Sequence, residues 1–369
     1  MSNRKIFIIA GEKSGDLHAS NLIKGIKQIS DNTEIYGLGG DLMQKAGCNL
    51  LYNMMDIAVV GFVEVLKHIS LYKKIFHDTV DNIIKLKPDA VVLIDYPGFN
   101  LRMAKKLKKV CPDTKLVYYI SPQIWAWHKS RIKDIKAVID KMIVIFPFEV
   151  DFYKNNEFNN VCFCGHPLLD VDFFKENVVK DRFSISKIIG IFPGSRISEI
   201  KNNLDIMLKT AEDLKDFDFE IACANEKCKK EINKILEKYN LDVNLNNDAH
   251  DVMKKSVFVI TASGTVTVEL ACAGVPMVIM YKVAFFTWLI AKMLVDIKYI
   301  GMVNILADKE ISPEFIQHIN PKKISEYIKG VLHDKDKYNE IEKDLSLVKS
   351  KLGESGASLR VSKEVLNII

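Results

Sequence analysis

Residues 7–20, FIIAGEKSGDLHAS, decide the fold. The apolar run at residues 6–10 predicts a buried strand, and the turn from Gly11 to Gly15 leads into a segment with helical character. A strand, a glycine-bearing turn and a helix in this order are typical of the repeating unit of a parallel α/β sheet. They also favour a binding loop at the turn.

This loop does not match the common phosphate-binding patterns. Gly11 and Gly15 are four residues apart with a lysine between them, which is not the spacing of a P-loop. The dinucleotide pattern is absent as well, and Glu12 and Asp16 would repel a pyrophosphate. Acids beside the hydroxyl of Ser14 suit proton abstraction better. The alternative is a plain helix start, with Ser14 or Asp16 as the N-cap.

Composition limits the function classes. The 369 residues argue for two domains, and 48% apolar with 27% charged residues is typical of a globular protein. The net charge of +5 suits an anionic small ligand or an anionic membrane surface, and it is too weak to indicate nucleic acid. Seven cysteines without a signal peptide indicate a reducing cytoplasm. The longest uncharged apolar stretch, residues 270–281, is too short to span a bilayer.

Strands and helices alternate through both halves of the chain, which predicts two doubly wound α/β domains facing across a cleft. The predicted strands lie at residues 6–10, 35–38, 90–94, 116–120, 142–146, 188–192, 219–222, 243–245, 257–261 and 276–281. The predicted helices lie at 21–29, 71–86, 100–110, 129–137, 199–214, 226–239, 265–273 and from 321 onward. A polar, unpatterned segment divides the chain into domains at 1–178 and 179–369, and it stays open whether the last helices pack on the first domain.

The second half also begins with a strand, a glycine turn and a helix, at FPGSRISEI, residues 192–200. Gly194 allows close approach of the backbone to a ligand, and Ser195 is expected to cap the helix. Arg196 offers a planar fork for pyrophosphate oxygens. The alternative is an ordinary turn with a solvated arginine.

A second element of this kind is TASGTVTVELACAGVP, residues 261–276. Ser263, Gly264 and Thr265 open a short helix, and Glu269 lies about one turn inside it. A carboxylate there can accept hydrogen bonds from both hydroxyls of a ribose. Together with the turn at Arg196 this predicts a nucleoside-diphosphate site, although Glu269 can also be an ordinary exposed helix residue.

Asp95 stands at the end of the apolar strand in LIDYPGFN, residues 93–100. Sheets of this type bind ligands at the carboxyl ends of their strands, where a partly desolvated carboxylate has a raised pKa and can act as a base. The alternative is a turn aspartate before Pro97.

Three further segments carry weaker signals. Tryptophans mixed with basic residues at 118–133 favour an anionic, partly apolar small ligand over nucleic acid. The apolar segments 57–76 and 283–300 are either core helices or a surface that meets anionic lipid. Cys162, Cys164 and His166 share one face of a strand, but their spacing fits buried thiols better than a metal site.

Taken in order, these motifs resemble the lipid-A-disaccharide synthases, inverting glycosyltransferases of the GT-B type, which has two Rossmann-like domains (glycosyltransferase family 19). The resemblance runs nearly end to end. Its motifs are Ala10-Gly11-Glu12 through Ser14-Gly15-Asp16, Val63-Glu64-Val65-Leu66, Asp95 through Asn100, Ser121-Pro122 through Trp125-Ala126-Trp127, Pro147-Phe148-Glu149, Gly165-His166-Pro167, Pro193-Gly194-Ser195-Arg196, Ala262-Ser263-Gly264-Thr265 through Glu269, and Asn304-Ile305-Leu306-Ala307.

The resemblance implies a reaction of lipid A and lipopolysaccharide biosynthesis. UDP-2,3-diacylglucosamine donates its sugar to the 6-hydroxyl of 2,3-diacylglucosamine 1-phosphate (lipid X), which gives a β-1,6-linked lipid A disaccharide 1-phosphate and UDP. It also implies a metal-independent enzyme without a cofactor or a nucleic-acid partner. The enzyme would lie in the cytoplasm, peripheral on the inner face of the bacterial inner membrane, where lipid is anionic. A homodimer stays open.

The resemblance further implies roles for single residues. Asp95 matches the proposed base, and Glu12 and Ser14 match residues lining the acceptor side. It places Asn304 in the donor site, with Arg196 and Ser195 at the departing UDP and Glu269 at the ribose. Which of Asp95 and Glu12 takes the proton stays open.

Two positions depart from the family pattern. Gly98 stands where the family commonly has an acid, and Val303 stands where a proline usually precedes the Asn304 motif. Two alternative functions stay open: an enzyme like UDP-GlcNAc 2-epimerase, which has the same fold, and a nucleotide-sugar-binding protein without turnover.

Overall fold

A computed structural model describes residues 4–55, 65–127, 130–175, 181–282 and 298–369, with only the backbone of residues 65–69. The chain forms two compact units. The first contains residues 1–170 and 353–369, and the second contains residues 171–352. The sequence places the division at residue 178, eight residues further along the chain than the structure does.

The first unit is built on a seven-stranded sheet in which every pair of neighbouring strands is parallel. Its strands are β1 (Lys5–Ala10), β2 (Glu34–Gly39), β3 (Asn49–Asn53), β4 (Ala90–Ile94), β5 (Lys115–Tyr119), β6 (Lys141–Val144) and β7 (Val161–Phe163). Their order across the sheet is β3-β2-β1-β4-β5-β6-β7. The direction of strand order changes between β1 and β4, and ligands bind at such switch points in doubly wound sheets.

Helices cover both faces of this sheet, and a separate apolar cluster fills the space on each face. They are α1 (Lys13–Ile29), α2 (Asp41–Lys45), α3 (Val65–Leu86), α4 (Pro97–Val110), α5 (Arg131–Val138) and α6 (Pro147–Asn155). The 3₁₀ turn Pro167–Asp170 follows β7. The last helix of the chain, Ala357–Leu366, returns to this unit, where Ser362 Oγ donates to the Leu22 carbonyl on α1 at 3.1 Å.

The second unit contains a six-stranded parallel sheet with the order β10-β9-β8-β11-β12-β13. Its strands are β8 (Ile188–Phe192), β9 (Asp218–Ala222), β10 (Val243–Asn246), β11 (Ser256–Ala262), β12 (Met277–Tyr281) and β13 (Glu314–Ile316). The order repeats that of the first sheet, with the switch point between β8 and β11. Two doubly wound, Rossmann-like units therefore confirm the predicted fold class.

The second unit also contains helices. They are α7 (Asp172–Lys175), α8 (Arg182–Ile185), α9 (Ile197–Glu212), α10 (Glu226–Leu236), α11 (Ala249–Lys255), α12 (Val266–Cys272), α13 (Met302–Ala307), α14 (Pro321–Leu332) and α15 (Lys335–Lys351), and α16 is the returning helix Ala357–Leu366. Arg182 is buried, although its segment reads as polar and unpatterned. Its guanidinium donates to four backbone carbonyls, including that of Ala273 at the end of α12.

In the part of the chain that the structure describes, no helix is both long and apolar enough to cross a membrane. Two apolar segments, 57–76 and 283–300, were predicted to be core helices or a lipid-facing surface. The greater part of these segments lies outside the described residues.

Candidate active site

Asp95 directly follows β4, at the switch point of the first sheet. Its backbone adopts a left-handed conformation, with φ of 44°, and its N–H donates to the Tyr119 carbonyl at 3.0 Å. The Asp95 carbonyl accepts from the Tyr118 hydroxyl at 2.6 Å and from Asn100 Nδ2 at 2.8 Å. These hydrogen bonds hold a conformation that L-residues rarely adopt. Three hydrogen bonds therefore fix the main chain of Asp95.

The Asp95 carboxyl is partly buried, and its pKa is raised from 3.8 to about 6. Burial is the larger cause, because it disfavours the charged form, and the nearby Glu12 carboxylate adds to it. A hydrogen bond from the Tyr96 N–H opposes the rise. A carboxyl with such a pKa is mostly ionised at neutral pH and still basic enough to accept a proton from a reacting hydroxyl.

Glu12 is the N-cap residue of α1, with an extended backbone and an exposed side chain that makes no capping hydrogen bond. Ser14 is exposed in the first turn of the same helix. The interpretation of Ser14 or Asp16 as the N-cap is therefore wrong, because α1 begins earlier, at Lys13. The Glu12 carboxylate and the Ser14 hydroxyl both remain accessible at the end of β1.

Asp16 has a structural role. Its carboxylate is buried and accepts hydrogen bonds from the backbone N–H groups of Gly40 at 2.8 Å, Met43 at 3.0 Å and Leu42 at 3.1 Å. It therefore caps the start of α2 from a different helix. Of the two acids in this loop, only Glu12 is left for a ligand.

Gly11, between β1 and Glu12, lies against the ring of Tyr96. A Cβ at Gly11 would lie 2.3 Å from Tyr96 Cδ1, so only glycine fits there without movement of the ring. The Tyr96 ring in turn stacks on Phe99 with centroids 5.7 Å apart. The first loop and the Asp95 turn are thus packed into one surface of the first unit.

The glycine turn of the second unit is organised by Glu199, a residue that the sequence interpretation did not single out. Glu199 Oε2 accepts from the N–H groups of Ser195 at 2.9 Å and Arg196 at 3.2 Å, and Oε1 accepts from Arg196 Nη1 at 2.8 Å. Gly194 has φ of +111°, and a Cβ there would lie 2.4 Å from Glu199 Oε2. The predicted cap by Ser195 is wrong, because Arg196 is the N-cap and Glu199 reaches back to it.

The Arg196 side chain is 74% exposed, although it pairs with Glu199. A solvent-exposed ion pair is worth little, so an incoming anion can recruit this guanidinium at small cost. The two backbone N–H groups of the turn, in contrast, are already satisfied by protein. The arginine side chain is therefore the part of this turn best placed for an anionic ligand.

The motif that follows β11 is open to a ligand. Ser263 is held by its N–H, which donates to the Met280 carbonyl at 2.8 Å, and Thr265 is the N-cap of α12. Gly264 and Thr265 are exposed, and nothing lies within 4 Å of a Cβ built at Gly264. This motif and the Arg196 turn share one edge of the sheet, because β11 and β8 are neighbours.

Glu269 on α12 is largely buried, and burial raises its pKa. Among the described residues, none donates a hydrogen bond to its carboxylate. The Glu269 carboxylate is only partly exposed to water, and two vicinal hydroxyls of a ligand would supply donors to it. Its environment fits the predicted contact with a ribose.

Asn304 is fully buried on α13, and its amide is satisfied by protein. Its Oδ1 accepts from the N–H groups of Ile311 and Ser312, and its Nδ2 donates to the Ser312 carbonyl and to Glu314 Oε1. Glu314 also accepts from the N–H groups at the start of α13. Asn304 therefore orders a loop of the second unit from inside.

The thiol of Cys162 on β7 lies 3.9 Å from that of Cys164, which directly follows the strand, so the two side chains lie on the same side as expected. The adjacent His166 is buried, and burial, followed by the nearby His18, lowers its pKa to about 3. Within the described ranges, no group of three or more His, Cys, Asp or Glu side chains is arranged to hold a metal ion.

Glu149, in the motif Pro147-Phe148-Glu149, is a carboxyl that the sequence does not single out, and it is almost fully buried. It accepts from Trp125 Nε1 at 3.3 Å and from the Phe146 N–H at 3.1 Å, and burial raises its pKa to about 8. Like Glu199, it stands at the third position of a helix, and that spacing is the sequence signal that identifies both residues.

A family model described as lipid-A-disaccharide synthetase matches residues 6–367. The lipid-A-disaccharide synthase of Trichlorobacter lovleyi is 37% identical over 379 residues, which cover 99% of this chain and 98% of that protein. The protein of the same name from Geobacter sulfurreducens is 37% identical over 381 residues, with 100% and 98% covered.

Two solved structures show the same fold at low sequence identity. The complex of S. aureus MnaA with UDP has a TM-score of 0.66 at 15% identity and covers 99% of this chain and 98% of that one. UDP-GlcNAc 2-epimerase from Neisseria meningitidis bound to UDP-GlcNAc has a TM-score of 0.65 at 14% identity, covering 98% and 100%. Because the family model matches residues 6–367 and the two synthases are 37% identical over nearly the whole chain, the chain belongs to the lipid-A-disaccharide synthase family.

Proposed function

We propose that this chain transfers the sugar of UDP-2,3-diacylglucosamine to the 6-hydroxyl of lipid X, with Asp95 as the base. The family supports a glycosyltransferase of lipid A biosynthesis and does not favour the epimerase alternative. The observation that carries the proposal is the Asp95 carboxyl, which is fixed at the switch point of the first sheet with a pKa of about 6.

The reaction is one in-line displacement. Asp95 accepts the proton of the acceptor hydroxyl. At the same time the oxygen of that hydroxyl forms a bond to the anomeric carbon of the donor. The bond from that carbon to the UDP oxygen breaks on the opposite side, and its electron pair leaves with the diphosphate. A single displacement inverts the anomeric carbon, so the chain needs no nucleophile of its own.

The first unit supplies the acceptor side. Glu12 and Ser14 are accessible after β1, which pairs with β4, and the Glu12 carboxylate helps to raise the pKa of Asp95, which makes Asp95 a stronger base. Glu12 therefore supports proton transfer to Asp95. The Glu12 side chain is more exposed than that of Asp95 and remains in contact with solvent. The Ser14 hydroxyl can hydrogen-bond the sugar.

The second unit supplies the donor side. The exposed Arg196 guanidinium binds the diphosphate and stabilises the charge that develops on the departing UDP. Ser263, Gly264 and Thr265 present an open loop to the nucleotide, and Glu269 accepts from the ribose hydroxyls. Gly194 keeps the Arg196 turn in its left-handed conformation.

Asn304 acts on the donor indirectly. Because the amide hydrogen bonds of Asn304 are made to residues 311–314, we assign it the ordering of the loop that follows α13 rather than a ligand contact.

Donor and acceptor are both acylated, and the net charge of +5 suits peripheral binding to the anionic inner face of the inner membrane.

The test is incubation of the protein with UDP-2,3-diacylglucosamine and lipid X, followed by mass spectrometry of the lipid product and measurement of released UDP. The proposal predicts one disaccharide 1-phosphate for each UDP. A parallel incubation with UDP-GlcNAc alone tests the epimerase alternative. A C2 epimer in that incubation, without disaccharide in the first, would refute the proposal.

A further inference from the structure

A cation without an assigned role lies near Asp95. Arg131 is the first residue of α5, and its guanidinium carbon lies 5.9 Å from the centre of the Trp127 ring. This distance is within the range of a cation–π contact. Trp127 is 47% exposed, so the pair is accessible from solvent.

No carboxylate among the described residues pairs with Arg131. Asp134, one turn further along α5, pairs instead with Lys105, with Nζ and Oδ1 2.8 Å apart. A guanidinium has five N–H donors in a planar fork that matches a phosphate group. No carboxylate of the described residues occupies the donors of Arg131, and their geometry suits a phosphate.

Arg131 and Asp95 share Tyr118 as a neighbour. The Tyr118 hydroxyl donates to the Asp95 carbonyl at 2.6 Å. Burial raises the pKa of that hydroxyl, and the positive charge of nearby Arg131 opposes the rise. The two residues also follow neighbouring strands, because β4 and β5 pair with Ile94 opposite Tyr119. Arg131 thus belongs to the same edge of the sheet as the base.

Ser121 and Trp125, which precede Trp127, are anchored in the protein. The Trp125 indole donates to the buried Glu149 carboxyl at 3.3 Å, and its ring meets Phe148 edge to face with centroids 5.0 Å apart. Ser121 Oγ lies 2.8 Å from the Tyr153 hydroxyl, inside the same unit. Trp127 therefore follows a packed segment of the first unit.

We propose that Arg131, with Trp127 beside it, binds the phosphate of the acceptor sugar and selects phosphorylated acceptors. This inference rests on the proposed function, which supplies an acceptor with a phosphate on C1. C1 and C5, which carries the reacting CH₂OH, both flank the ring oxygen of one sugar. The group that holds the phosphate must therefore lie within one sugar of the base.

The charges of the site require such a cation. A phosphate that approaches Asp95 and Glu12 meets two carboxyl groups, and like charges in a partly buried site repel. Arg131 offsets this repulsion and fixes the orientation of the sugar through a two-pronged contact. Lysine provides the charge but not the fork.

The test is calorimetric titration, without donor, of a short-chain, soluble acceptor with and without its 1-phosphate. For Arg131→Met we expect about ten- to hundredfold weaker binding of the phosphorylated acceptor, as for loss of a hydrogen bond to a charged group. Binding of the dephosphorylated acceptor should not change. Arg131→Lys should fall in between, and Lys133→Met, at an exposed position two residues away, should resemble the wild type.

Equal losses for both acceptors would overturn the inference, because they would indicate damage to the site rather than a phosphate contact. Unchanged binding of both would overturn it as well. Sedimentation with phosphatidylglycerol vesicles tests whether Arg131 binds lipid headgroups instead of the acceptor phosphate. We expect Arg131→Met to sediment as the wild type does. Lost sedimentation with unchanged acceptor binding would overturn the inference and assign Arg131 to the membrane. If the wild type binds the phosphorylated acceptor through Arg131 but forms no disaccharide, the proposed function is refuted and the phosphate contact of Arg131 still holds.

Discussion

Replacing Asp95 with asparagine is expected to stabilise the first unit at neutral pH. Ionising Asp95 in the folded protein costs free energy, because its pKa rises from 3.8 to about 6 on folding. About 1.4 kcal/mol corresponds to each pKa unit, so the cost approaches about 3 kcal/mol above pH 6. Asparagine has the same shape and carries no charge, and therefore avoids the cost.

The sign of the pH dependence follows from the same pKa. The folded state binds the Asp95 proton more tightly than the unfolded state, so the cost is absent below about pH 4 and grows as the pH rises towards 6. The stability advantage of Asp95→Asn should be about 1 kcal/mol larger at pH 7.5 than at pH 5. A site that serves catalysis at the expense of stability behaves in this way.

The assay is urea unfolding followed by tryptophan fluorescence at both pH values. Two of the three tryptophans, Trp125 and Trp127, lie in the first unit and report on it. Asp113→Asn, at an exposed position before β5, is the matched control and should leave the free energy of unfolding nearly unchanged at both pH values. An Asp95→Asn protein that is no more stable than the wild type at pH 7.5, or gains more at pH 5, would refute the reasoning.

Three further predictions concern the charges at the two ends of the reaction. Glu12→Gln removes a negative charge beside Asp95, so the pKa of Asp95 should fall. The acidic limb of the kcat/KM–pH profile should then move to lower pH. An unmoved limb would contradict the electrostatic interaction between Glu12 and Asp95. Gly98→Asp introduces an acid in open space near Asp95, so the protein should fold with an unchanged Tm and the same limb should move to higher pH; a large loss of Tm would argue against the open space. Glu269→Gln should weaken UDP binding about tenfold or more in calorimetry, because a neutral amide is a weaker acceptor for ribose hydroxyls, and unaltered affinity would exclude the ribose contact.

The sequence predicted the repeated α/β pattern and the residues at strand ends, because both depend on local periodicity. Asp95 and Glu269 could be singled out since each stands at a fixed offset from an apolar strand or a glycine turn. The strands β3 (NLLYN) and β13 (EFI) were missed, because they are only partly buried and lack the continuous apolar run of the predicted strands.

Contacts between distant segments could not be predicted in this way. Asp16 caps a helix that begins 25 residues later, and Asn304 is satisfied by residues of the following loop, so neither role has a local pattern. Glu199 is different: an acid three residues after an N-cap position is a known signal, and it identifies the true partner of the Arg196 turn.

The most direct test of the account compares the wild type and Asp95→Asn in one experiment, with mass spectrometry of the lipid product and calorimetry of UDP binding on the same preparations. We predict that Asp95→Asn forms no detectable disaccharide and binds UDP with wild-type affinity. Disaccharide formation by Asp95→Asn at the wild-type rate would contradict the assignment of Asp95 as the base.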